Sequence, residues 1–141
     1  MVRDGRVALV ERRRAGLHYW VVPGGGVEEG ETIEGAALRE AEEELGVAVA
    51  LGPLRATIEH LEADGSTQRQ HYFAATIDDE QIRMTGPETS APVERGTYTA
   101  VWVEIADLDV ERVLPRSVAR LIQRHTTEPW PEVPCDIDER R

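Results

Sequence analysis

The hydrophobic positions of the chain change their spacing several times, and each change marks an element. Asp4-Gly5 signals a turn. The run Arg6 to Arg12 is apolar between charged ends and reads as a strand, as does His18 to Val22. Pro23 and the glycines Gly24 to Gly26 then force a loop. From Ile33 to Leu45 the spacing becomes helical, with Ile33, Ala37, Leu38, Ala41 and Leu45 on one stripe. Thr32 is a good N-cap, Glu34 lies in the first turn where the helix dipole favours acid, and Gly46 sits where a helix stops.

Three strands are predicted next, over Val47 to Leu51, Leu54 to Ala63 and Gln68 to Ile77, the last two joined near Asp64-Gly65. Residues 78 to 97 read as an irregular loop and Tyr98 to Ile105 as a strand. Pro115 can start a second helix running to about His125. The segment from Thr126 to Arg141, with its prolines and charges, reads as a loosely packed tail beyond a domain over 1–125. Strands, helix, strands, helix in this order predict an α/β domain with αβα layers.

Composition narrows the class. The 141 residues fit one domain, and 40% hydrophobic content supports a packed core. No apolar run is long enough to span a membrane, and no secretory leader is visible at the N-terminus. Cys135 is the single cysteine, so no internal disulfide forms and a cytoplasmic location is the default. The formal net charge of −11 opposes broad binding to a nucleic-acid polymer. All 16 basic residues are arginine, which suits bidentate contacts to phosphate as well as a GC-rich coding sequence.

The informative stretch is Gly25 to Val47. At about 100° per residue, Glu40, Glu43 and Glu44 fall within an arc of roughly 100° on one helix face. Like charges three and four residues apart repel. A hard divalent cation with oxygen ligands is their natural partner, magnesium being usual where phosphate also binds. Taken alone, these glutamates read more simply as a solvated acidic face. The wider spacing shifts the balance. Gly25, Glu31, Arg39, Glu40, Glu43, Glu44 and Gly46 fit G-x5-E-x7-R-E-x-x-E-E-x-G at every position. Chance agreement has a probability of roughly 10⁻⁴ or less from composition frequencies.

This pattern resembles the signature of the Nudix hydrolases, and the flanking Tyr19 to Glu31 and Trp102 are similar to the family's strand and loop positions. The resemblance implies an αβα sandwich with a mixed sheet and a loop–helix–loop catalytic motif. It also implies cleavage of a nucleoside diphosphate linked to another moiety, with magnesium or manganese. On the matching positions, Glu40, Glu43 and Glu44 would surround the metal, joined by the carbonyl of Gly24. Glu31 and Arg39 would pair and hold the loop to the helix, while Gly25 and Gly46 would serve backbone geometry. The general base would be Glu40 or a later loop glutamate, Glu94 or Glu88, with Glu94 preferred because it lies eight residues before Trp102. The family is often dimeric, which by analogy suggests a homodimer. The partner implied is a small nucleotide, with neither a nucleic-acid polymer nor a membrane.

Outside the motif, Arg13 is a candidate for a substrate phosphate and Trp20 for stacking on a base, alongside Tyr19, Tyr72, Phe73 and Tyr98. The four histidines show no mutual ligand spacing. The chain departs from the family pattern in leaving only Met1 to Arg3 for a strand before the first turn. Glu62 stands where one subgroup has a proline, and Ala63 to Gly65 where another has a tyrosine. A nucleoside triphosphate is therefore the leading substrate. A nucleotide sugar, a dinucleotide, or a nucleotide-binding module without catalysis are the alternatives. The run Glu128 to Pro134 resembles, out of place, a motif of members that cleave dinucleotides.

Overall fold

The structure, a computed structural model, describes residues 1–24, 26–77 and 96–139. In chain order it contains β1 (Val2–Arg3), β2 (Arg6–Arg14), β3 (Leu17–Val21), α1 (Ile33–Leu45), β4 (Ala50–Leu61), β5 (Thr67–Thr76), β6 (Thr97–Glu104), β7 (Val113–Leu114), α2 (Arg116–Arg124) and β8 (Cys135–Glu139). The α/β architecture with mixed sheets is the one expected. The strands divide between two sheets, one of five strands and one of three. In the first, β6 runs antiparallel along β2 from Arg6↔Glu104 to Arg13↔Thr97. Antiparallel β1 and β3 share the other edge of β2, and β7 pairs with β3 in parallel. In the second sheet, β4 lies between antiparallel β5 and parallel β8.

Strand β2 organises the interior. Val7, Ala8 and Leu9 are fully buried, so both faces of the strand are covered. Val7 and Leu9 join Ile58 and Ala56 of β4, Val113 of β7, and Val118, Ala119 and Ile122 of α2. Ala8 packs on the opposite side with Leu45, at the end of α1, and with Val47. Period-two alternation therefore sends one set of side chains to the second sheet and α2, and the other to α1.

Local rules account for the ends of α1. The Thr32 hydroxyl accepts from the backbone N–H of Gly35 at 2.9 Å. Gly46 adopts φ 70°, the left-handed region that glycine enters at little cost, and its N–H returns to the Glu42 carbonyl. The 62–66 turn closes by Ser66 N–H and Oγ–H donating to Asp64 at 2.8 and 2.6 Å.

Three expectations are corrected. Leu38 is 43% exposed, whereas Ala36 is buried, so the packed stripe of α1 is rotated toward Ala36. Val47 to Val49 precede the strand, which starts at Ala50 and continues without a break to Leu61. The C-terminal segment is not loose: its residues 135–139 form β8, from Ala56↔Cys135 to His60↔Glu139, and Ile137 packs against the main core. The expected loop over 78–97 falls mostly outside the described residues. Among the described residues, no helix is long and apolar enough to cross a membrane.

Replacing the half-buried Ile137 by alanine should lower unfolding free energy by about 1–2 kcal/mol, less than a fully buried site would lose. Urea denaturation checks this, and an unchanged midpoint would mean that β8 is not docked.

Candidate active site

The site is built where the loop after β3 meets α1. Arg39 is its hub. Its Nε–H and Nη2–H donate to the two carboxylate oxygens of Glu31 at 2.8 and 3.0 Å, the forked pairing that arginine favours. Nη2–H also reaches the Gly26 carbonyl at 3.3 Å. Nη1–H donates to Glu40 at 2.9 Å and Glu43 at 3.2 Å. Glu31 in turn accepts from the backbone N–H of Glu28 at 2.9 Å. The loop is thereby tied to the helix, the role expected of Glu31 and Arg39.

These contacts set the electrostatics. Hydrogen bonding from Arg39, then from the Glu28 backbone, holds the Glu31 carboxyl below its ordinary value. The Glu31 carboxylate raises the Arg39 guanidinium further, against the opposing effect of burial.

Glu44 points elsewhere. Its carboxylate accepts from the Gly24 N–H at 3.2 Å. Gly24 lies against Tyr72, and a side chain there would bring its Cβ to 3.0 Å from the Tyr72 ring. Only glycine lets this backbone come so close. Tyr72 is buried, and desolvation, followed by the charge of Glu44, pushes its phenol above its ordinary value. Its O–H donates to Gln70 at 2.9 Å.

Glu40, Glu43 and Glu44 are hard oxygen donors on one helix face, and that chemistry fits a divalent cation. Their carboxylates now serve Arg39 and the Gly24 N–H. Among the described residues, no three histidine, cysteine or acidic side chains stand together as a ready metal cage. Gly25, Glu88 and Glu94 lie outside the described residues.

A cavity of about 440 Å³ opens beside this helix face. Gly24 and, from α1, Ile33, Ala37 and Glu40 are among its lining residues. The rest is mainly apolar, from β4, β5 and α2. Arg13 and Trp20 are not among the residues that line this cavity. Arg13 is largely exposed at the β2–β3 turn, 3.8 Å from Glu11. Trp20 packs against the core and is engaged by His18, with ring centroids 4.4 Å apart, and by Arg112 at 5.0 Å. Tyr19 and Tyr98 instead flank Arg12, at 5.9 and 4.4 Å. Tyr72 and Phe73 do reach the cavity. Sequence reasoning missed two further residues of its wall, Arg55 and Trp130.

The architecture is an α/β domain in which an arginine-clamped glycine loop enters a glutamate-rich helix. Residues 1–131 match the sequence model of the family described as the NUDIX domain, and the chain belongs to that family. A Caenorhabditis elegans protein named putative nudix hydrolase 1 is 30% identical over 127 residues, which cover 88% of this chain and 32% of that protein. The RNA pyrophosphohydrolase of Sphingopyxis alaskensis is 47% identical over 45 residues, 32% of this chain and 28% of that protein. The chain thus spans about a third or less of the length of these two relatives.

Among solved structures, a MutT NUDIX hydrolase from Burkholderia pseudomallei superposes with a TM-score of 0.61 at 27% identity, covering 90% of this chain and 92% of that one. A C. elegans Ap4A hydrolase superposes at 0.62 over 86% of this chain and 83% of that one; at 19% identity it shows the fold alone.

The lowered Glu31 value has a consequence for stability. A carboxyl depressed in the folded state stabilises above its ordinary value near 4.5 and loses that contribution as pH falls through the depressed value. Glu31→Gln should therefore be less stable than the native chain near neutral pH, with the gap closing below about pH 4. Urea denaturation from pH 3 to 7 checks this, and a gap independent of pH would contradict it.

Proposed function

We propose that the protein is a metal-dependent pyrophosphohydrolase that cleaves a phosphoanhydride bond in a nucleoside diphosphate linked to another moiety, most readily a nucleoside triphosphate. One observation carries this reading. Glu40 and Gly24 line a single cavity large enough for a nucleotide, and Glu44 is hydrogen-bonded to that same Gly24. The relatives named as hydrolases support it.

Glu40, Glu43 and Glu44, with the Gly24 carbonyl, would hold magnesium or manganese. A bound cation would supply neutralising charge for the phosphate oxygens, which an acidic chain otherwise repels. Arg39 ties the loop to the helix through Glu31 and the Gly26 carbonyl, and Glu43 and Glu44 would turn toward a cation held beside Glu40 and the Gly24 carbonyl. The loop's Gly25 and the helix-ending Gly46 serve its geometry. The apolar walls exclude bulk water around the bound nucleotide. A carboxylate outside the metal set, Glu94, would take the proton of the attacking water.

Purified protein with magnesium or manganese should release a nucleoside monophosphate from at least one member of a nucleotide panel, and chelation by EDTA should abolish the release. Glu43→Gln and Glu44→Gln should each lower kcat by at least about 100-fold with the thermal midpoint retained. Glu94→Gln should lower kcat roughly 10²–10⁴-fold, the range for a lost general base. Undiminished activity in both Glu43→Gln and Glu44→Gln would reject the metal-site assignment.

A further inference from the structure

The cavity wall holds one charged residue, Arg55, whose placement the hydrolytic centre does not explain. Arg55 lies in β4 where the register breaks: Leu54 faces Phe73 and Ala56 faces Tyr72, so Arg55 is the extra residue of a β-bulge. Bulges of this kind re-aim a side chain out of the regular alternation. Here the side chain joins the cavity wall that also contains Gly24 and Glu40. Its Nε is buried and has no hydrogen-bond partner among the described residues. Its guanidinium lies 5.1 Å from the centre of the Trp130 ring. Trp130 is itself stacked on His125, with centroids 4.3 Å apart and planes 26° apart. The docked C-terminal segment therefore holds a ring against which Arg55 is oriented.

A buried N–H without an acceptor costs free energy unless a ligand supplies one. The wall around Glu40 and Gly24 is committed to the diphosphate in the function proposed above, on which this inference rests. The wall also includes Val118, Leu121 and Ile122. Apolar walls suit the flat faces of a base and not a hydrated phosphate. Arginine carries donors only. It is satisfied by a base edge with two adjacent acceptors, as guanine has at N7 and O6, and is mismatched by adenine, which sets an amino donor beside N7.

We propose that Arg55, held in place by Trp130, is the specificity-determining residue for the base and selects a guanine nucleotide over an adenine nucleotide.

The test is calorimetric binding of the α,β-methylene analogues of GTP and ATP with magnesium. The proteins compared are the native chain, Arg55→Met and Arg55→Lys, each first checked for an unchanged thermal transition. The native protein should prefer the guanine analogue by about tenfold or more. Both variants should lose that preference, lysine included, because a point charge lacks the forked edge. Trp130→Ala should reduce the preference and Trp130→Phe should retain it, as expected of a positioning ring. A preference that survives Arg55→Met, or a native protein without one, would overturn the proposal. So would an equal loss for both analogues with rescue by lysine, which would place Arg55 on a phosphate. Because binding is read and not turnover, a protein that hydrolyses no nucleotide would defeat the hydrolase reading while leaving this comparison decisive.

Discussion

The site depends on one guanidinium. Arg39 is the common partner of Glu31, Glu40, Glu43 and the Gly26 carbonyl, all within 3.3 Å. Surface ion pairs taken singly contribute little. A half-buried arginine shared among three carboxylates differs, because it offsets repulsion between acids on one helix face while pinning the glycine loop to the helix. The position of Gly24 follows from this clamp, and that of Glu44 from Gly24. The Tyr72 ring stands where a side chain at residue 24 would go. Three elements distant in sequence are thus fixed relative to one another by a few hydrogen bonds and one steric contact.

Where the signal was local, the sequence sufficed. The bounds of α1 follow from Thr32, Gly46 and the apolar spacing, all within about one turn of the ends they fix. The pairing of Glu31 with Arg39 was legible because loop length and helix pitch leave little freedom between them. Leu38 was misjudged because a stripe of five positions has two edges, and only tertiary packing decides which edge is buried. Arg13 and Trp20 are candidates by residue type alone, and type does not say which sheet face a side chain takes or what touches it.

The residues that were missed depend on long-range geometry. Arg55 reaches the cavity through a bulge; Gly52-Pro53 signals the irregular stretch of β4, but no residue type there says which side chain the bulge re-aims. Trp130 reaches it because β8 adds to β4, a parallel pairing across some 80 residues that proline-rich, charged composition argues against. The prolines shape the approach to the strand, and Cys135 and Ile137 then supply the apolar contacts that dock it.

The fold thereby gives a mainly apolar cavity whose wall, among the described residues, carries one glutamate, Glu40 of α1, and one arginine, Arg55 of β4. A strongly acidic chain can take an anionic ligand there only if cations reverse the local field. Manganese binding, followed by electron paramagnetic resonance with and without nucleotide, tests that requirement most directly. Saturable binding by the native protein, weakened about tenfold or more by Glu43→Gln or Glu44→Gln, is the expected result. Failure to bind manganese even with nucleotide present, or binding indifferent to both substitutions, would contradict it.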